Sequence, residues 1–231
     1  MSTDPFGLAE GDYVPDPDRD TTLLLDAFYD HLAATLLRHA LPGDPIDAMI
    51  AAMRARQGEL EAAGRHLVVD EPARHNLRMT LALVAAYELL RPGLGREQAV
   101  AAVRAAFIEP LADTMKAGTR AMLDNAPDAF RAMVELCRSR EEHAFGKAFV
   151  FARPADDDSR YHLDVRRCFY HDVLVAHAAP ELTPIMCAFD ANWIEAISPG
   201  RHGFRFERRT TIGTGGTHCP FHFSRTRETG G

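Results

Sequence analysis

No stretch of this chain approaches the ~18 consecutive apolar residues that a membrane-spanning helix requires. The most apolar segment, Leu81–Leu90, is interrupted by Tyr87 and Glu88. Positive charge is in deficit, with 26 Lys and Arg against 33 Asp and Glu and a net charge of −7. Such a surface repels phosphate backbones, so neither nucleic acid nor membrane is expected as a partner. The one dense basic run, Arg201, Arg205, Arg208 and Arg209, reads as strand, where alternation splits its side chains between two faces. Cysteine is scarce: Cys137, Cys168, Cys187 and Cys219 form no C-x-x-C pair, which excludes a zinc ribbon or a thioredoxin-type motif. The frames G-x-S-x-G, H-E-x-x-H, G-x-G-x-x-G and G-x-x-x-x-G-K-[ST] are all absent. The N-terminal stretch lacks the basic-then-apolar order of a secretory signal. A cytoplasmic setting with free thiols is therefore expected.

What the chain has is the ordinary mixture of a globular protein, 46% hydrophobic and 26% charged over 231 residues. Residues 1–20, acidic and carrying Gly7, Gly11, Pro15 and Pro17, read as a flexible leader. From Thr21 the apolar residues follow a helical period: Leu25, Phe28, Leu32 and Leu36, stopping at Leu41-Pro42-Gly43. Asp44-Pro45 opens a second helix with Ile46, Met49, Ile50 and Met53 on one face. A third is expected from Asp70 to Pro92-Gly93, a fourth from Arg96 into the 120s with Pro110 inside it, and a fifth from Pro127-Asp128 towards His143. The period then changes. Ala148–Ala152 and Tyr161–Arg167 read as a hairpin around a turn at Pro154–Ser159. Helices are expected over Phe169–Ala179 and from Thr183 to about Ile197, before two closing strands bearing Phe204 and Phe206, then Cys219, Phe221 and Phe223. The expectation is an α+β fold: a helical region over 21–145, then an α+β region over 146–225 whose small antiparallel sheet has two helices inserted between its hairpins, with a flexible tail at 226–231.

Three of the four cysteines lie in the last third of the chain. Cys187 and Asp190, three apart on a helix, share one surface. With Thr183 as N-cap, Cys187 falls near the positive end of the helix dipole, which favours a thiolate, while the neighbouring carboxylate works against it. Spacing alone favours a packing role for Cys187 and also for Cys168, which closes a strand and opens a helix. Cys219 points with Phe221 and Phe223 into a core or pocket, and His218 and His222 face the other way. No spacing matches a known zinc site, and a divalent metal stays open. Gly213-Thr214-Gly215-Gly216 reads as a permissive loop between strands, and Trp193, Phe189, Met49, Met53 and Met79 as core.

The ordered set Val165-Arg166-Arg167-Cys168-Phe169-Tyr170, Pro180 to Asp190, Phe204-Arg205-Phe206-Glu207-Arg208, Gly213 and Cys219-Pro220-Phe221-His222-Phe223 resembles the L-2-amino-thiazoline-4-carboxylate hydrolase family over residues 160–225. The resemblance implies a hydrolase that opens a small carboxylated cyclic amidine without a cofactor. It makes Cys187 the nucleophile, Asp190 the acid/base and Cys219 a third catalytic group. It puts Cys168, Tyr170 and an arginine, Arg167 or Arg205, on the substrate. A shorter likeness, Cys187 to Asp190 followed by Cys219, resembles the two-cysteine, one-aspartate set of organomercurial lyases. A non-catalytic small-molecule-binding domain is the third reading. The expected partner is a small molecule, and a homo-oligomer stays open.

Overall fold

The computed structural model describes residues 16–39 and 45–226. Five helices come first: α1 (Pro17–His39), α2 (Ile46–Ala63), α3 (Glu71–Leu94), α4 (Arg96–Asn125) and α5 (Ala129–Arg140). A hairpin of β1 (Val150–Asp156) and β2 (Arg160–Arg167) follows, then α6 (Phe169–Ala176), α7 (Thr183–Phe189), α8 (Ala191–Ile194), the single turn α9 (Pro199–His202), β3 (Phe204–Glu207) and β4 (Cys219–Arg225). The sheet is antiparallel in the order β1-β2-β4-β3, and the fold is α+β. Among the described residues no helix is long and apolar enough to cross a membrane.

The helical stripes of the sequence become the core. On α1, Leu25, Phe28, Leu32 and Leu36 are buried as the period requires, and Tyr29 joins them. The helix starts at Pro17, four residues before the expected Thr21, with Asp18 and Asp20 in its first turn. Residues 1–15 of the expected leader, the stop at Leu41-Pro42-Gly43, Asp44 and most of the tail lie outside the described residues. On α2 only Met53 of the predicted face is buried; Ile46, Met49 and Ile50 are half-buried. Helix α3 is central, so it is buried on several sides, and it runs past Pro92 to Leu94. Pro92 removes one i→i−4 hydrogen bond, and the helix ends two residues later.

Asp70 joins the two halves. One carboxylate oxygen caps α3 by accepting from the Ala73 N–H at 2.9 Å, and the other accepts from the Lys147 N–H at 2.6 Å. Gly146, with φ of +67°, makes that approach feasible: a Cβ there would stand 2.6 Å from the Asp70 carboxylate. Phe149, Phe169, Leu174, Leu182 and Ile185 pack into the same core as α1, α3 and α4.

One face of the sheet, with Tyr161, Leu163, Phe204 and Phe223, packs with Trp193 on α8 and with Leu123, Phe130 and Met133 of α4 and α5. The opposite face carries His162 and His222, stacked at 4.2 Å, and the buried Asp164, which receives a hydrogen bond from His222 at 2.9 Å.

Three expectations about elements need correction. Pro154, read as a turn, lies inside β1, because β1 is an edge strand and its pairing shifts register between Ala152 and Ala155. Helix α6 ends at Ala176, three residues short of the expected Ala179. The helix expected from Thr183 to Ile197 is divided at Asp190 into α7 and α8, so more than two helical segments separate the hairpins. The division falls where the Arg208 guanidinium takes the carbonyl oxygen of Cys187 at 2.9 Å, one of the last carbonyls of α7 left without a helical partner.

Candidate active site

Antiparallel pairing sets Val165 at the end of β2 opposite Cys219 at the start of β4. The segment just before β4 folds into a 3-10 turn, Ile212–Thr214, packed against α7. Thr211 and Thr214 close that turn reciprocally: the Thr214 hydroxyl accepts from the Thr211 N–H at 3.1 Å. Successive residues of the turn then meet the two sulfurs. The Ile212 N–H donates to Cys219 Sγ at 3.1 Å, and Gly213 lies close against the Cys187 sulfur. Gly213 is required by space: a Cβ would lie 2.9 Å from Cys187 Sγ and 3.0 Å from the Pro184 nitrogen.

Cys187 is thereby the more acidic of the pair. Hydrogen bonds from the Cys219 thiol, the Thr211 hydroxyl and the Gly213 N–H outweigh burial and the nearby Asp190 charge, drawing its pKa from the ordinary thiol value down to about 6. Cys219, the donor to Cys187 and itself buried, is pushed well upward, so it keeps its proton. The opposition expected from Asp190 is present. The stabilising groups come from β4 and the turn before it; the helix-dipole expectation is corrected, because α7 has only seven residues, Thr183 is its first residue and not its cap, and Cys187 lies in its second half. Cys168 is raised to about 12 by burial, and the Cys187 charge pushes the same way. Cys137, also raised by burial, to about 12, packs with the sheet-side core. All four cysteines are free.

Asp190 accepts from Trp193 Nε1 at 3.1 Å on one carboxylate oxygen and from Arg208 Nη1 on the other. Burial raises its pKa above the usual carboxylate range although Arg208 pulls the other way. Arg208, which also lies over the Phe221 ring at 5.2 Å, couples β3 to α7. These groups open into a cavity of about 460 Å³ whose wall includes Cys168, Tyr170, Cys187, Asp190, Arg208 and Cys219. The Tyr170 hydroxyl donates to Asn76 Oδ1 at 2.9 Å, and burial holds the phenol protonated far above its ordinary range.

Of the residues singled out from the sequence, Cys187, Asp190, Cys219, Cys168 and Tyr170 thus meet in one cavity. Arg167 and Arg205 do not line it. Arg167 is exposed and paired with Asp172 at 2.6 Å; Arg205 is exposed and paired with Glu207 at 3.0 Å. Sequence reasoning gave no site role to Arg208 or Thr211 and read Gly213 as part of a permissive loop. Arg208 stands just beyond β3, and backbone donors have no side-chain signature. Among the described residues, Asp18, Glu71 and His75 alone bring three ligand-type atoms within metal-binding reach of one another. Arg74 already binds both of those carboxylates, which makes the group an ion-pair network.

No curated protein and no solved structure matches the chain. The family model described as L-2-amino-thiazoline-4-carboxylic acid hydrolase matches residues 75–223, reaching well beyond 160–225 into α3 and the helical half. That span holds every cavity residue named above and covers more than half of the chain, so the chain belongs to the L-2-amino-thiazoline-4-carboxylic acid hydrolase family.

Proposed function

We propose that this chain is a cysteine-dependent hydrolase opening a carboxylated cyclic amidine of the 2-aminothiazoline type. The observation that carries the reading is the meeting of Cys187, Cys219 and the half-buried Asp190 carboxyl group in one cavity. The thiolate attacks the amidine carbon, and the ring carbon–sulfur bond breaks as Asp190, in its acid form, gives its proton to the departing ring sulfur. An isothiourea on Cys187 results. Asp190, now a carboxylate, takes a proton from water as the water oxygen adds to the same carbon. The Cys187 thiolate leaves, and the product is an N-carbamoyl amino acid with a free thiol. Cys219 donates to Cys187 throughout and steadies each return of negative charge to that sulfur. Arg208 positions both catalytic groups, through the Asp190 carboxylate and the Cys187 carbonyl. The setting proposed is a reducing cytoplasm, which keeps the neighbouring thiols from joining as a disulfide.

Thiol release from L-2-aminothiazoline-4-carboxylate is the test. Wild type releases thiol; Cys187→Ser does not, while keeping its unfolding midpoint, and Asp190→Asn lowers kcat by about 10²–10⁴-fold. Turnover by Cys187→Ser at the wild-type rate would falsify the scheme.

The same two sulfurs beside one carboxyl group support a second reading, protonolysis of a carbon–mercury bond. In it both sulfurs hold the metal and Asp190 delivers a proton to carbon. Mercury(II) binding abolished equally by Cys187→Ser and Cys219→Ser, without any thiol release by wild type, decides for that reading.

A further inference from the structure

The chemistry above occupies one corner of the cavity. A five-membered ring with one amino and one carboxylate group fills a small part of about 460 Å³, within the range of ~300–1,000 Å³ that accommodates drug-sized ligands. The remaining wall is largely apolar, with Met79 of α3, Phe107 and Met115 of α4 and Phe149 at the start of the sheet, and it also carries Asp20, His75 and His143. Outside the reacting corner its one arginine is Arg140. Arg140, the last residue of α5, lines the cavity, and its side chain has no ion-pair partner among the described residues. Asp190 and Tyr170 line the same cavity. Arg208, by contrast, is committed to Asp190 and Cys187, and Arg167 and Arg205 are paired elsewhere. A guanidinium in an apolar wall gains most from a bidentate carboxylate.

We infer that the substrate of this chain is an amphipathic carboxylate, its acid group held by Arg140 and an extended alkyl or aryl body lodged in the apolar wall, with the reactive carbon at Cys187. The inference rests on the proposed attack by Cys187 for its placement of the reactive carbon, and on the cavity alone for the rest.

The experiment measures occupancy without turnover. Trp193, the one tryptophan of the chain, lines the cavity, so its fluorescence reports binding. The probes are straight-chain carboxylates from butyrate to decanoate, below their micellar concentrations, with alcohols and amines of matched length. Affinity rises about fourfold per added methylene until the chamber is filled. At equal length wild type ranks carboxylate above alcohol above amine, by about tenfold or more between the first two. Arg140→Gln loses that ranking and keeps the length dependence, whereas Arg140→Lys retains part of it; the wild-type ranking serves by itself if either variant does not fold. Bound decanoate protects Cys187 from iodoacetamide. Affinity independent of length, equal binding of carboxylate and alcohol by wild type, or binding that leaves Cys187 unprotected overturns the inference. Thiol release from aminothiazoline carboxylate is followed on the same preparation. Turnover with flat length dependence removes this inference and leaves the hydrolase reading; length-dependent, Arg140-dependent binding without turnover does the reverse.

Discussion

A cysteine three residues from an aspartate is an ordinary pairing on a helix surface, and the carboxylate by itself makes the thiol less acidic. Cys187 departs from the ordinary because the Cys219 thiol, the Thr211 hydroxyl and the Gly213 N–H converge on its sulfur. The consequence is a pH dependence with a defined sign. The thiolate fraction of Cys187 grows as pH rises through about 6, so its alkylation by iodoacetamide climbs through that value and is level by neutral pH. Cys168, held near 12, stays a thiol over the same range and reacts slowly. Cys219→Ala removes the largest of the stabilising contacts. The midpoint then moves up towards the ordinary thiol value of about 8.5, and alkylation at pH 7 slows about tenfold or more. Site-resolved mass spectrometry over pH 5–9 measures both; an unmoved midpoint in Cys219→Ala rejects the sulfur–sulfur contact as the cause. The pairing of Cys187 with Asp190 was legible from spacing. The acidity was not, because its sources lie 24 to 32 residues downstream and meet the sulfur only when β4 pairs with β2.

At the scale of elements, the 3-10 turn Ile212–Thr214 and the short α7 operate as a unit whose spacing is set by Gly213. The sequence reading of this loop as merely permissive captured the glycine and missed its use, which is close approach to a sulfur. Gly213→Ala places a methyl group 2.9 Å from that sulfur and 3.0 Å from backbone, so the turn has to retreat and take its N–H donors with it. The expected outcome is a loss of about 1–3 kcal/mol in urea unfolding together with slower Cys187 alkylation at pH 7. A stability loss with unchanged alkylation would show that the turn supports the fold and not the thiolate. The long helices were readable from period, as was the inward side of β3 and β4, whereas the single turn α9 fell where the sequence was read as a break. The division at Asp190 was unreadable, because it arises from a side chain, Arg208, that arrives from another element to take the Cys187 carbonyl.

Across the whole molecule, aromatic contacts tie the first helix to the site. Phe107 of α4, 2% exposed, meets Phe28 of α1 at 6.3 Å and Phe189 of α7 at 4.9 Å, and it also lines the cavity. Truncating a buried phenylalanine removes apolar burial and leaves a void, at a cost of about 3–5 kcal/mol. Phe107→Ala is expected to lower the unfolding free energy from urea titration by that amount, with far-ultraviolet circular dichroism and Trp193 fluorescence moving together, because the helical core and the site share this ring. Separated transitions in the wild type would reject such coupling.

Local pattern determined what local physics can carry: period 3.6 and period 2 identified helices and strands, the start of α3 was expected at Asp70, and the order of cysteines and aspartate marked the family and the reacting corner of the cavity. Tertiary structure alone decided which arginines face the cavity, which thiol is acidic and how large the chamber is. Arg205 was turned away by the same alternation that buries Phe204 and half-buries Phe206, while Arg140 is brought in by the packing of α5 against the sheet. Charge, acidity and volume at a site depend on distances between segments far apart in the chain, and those distances exist only once the segments have packed.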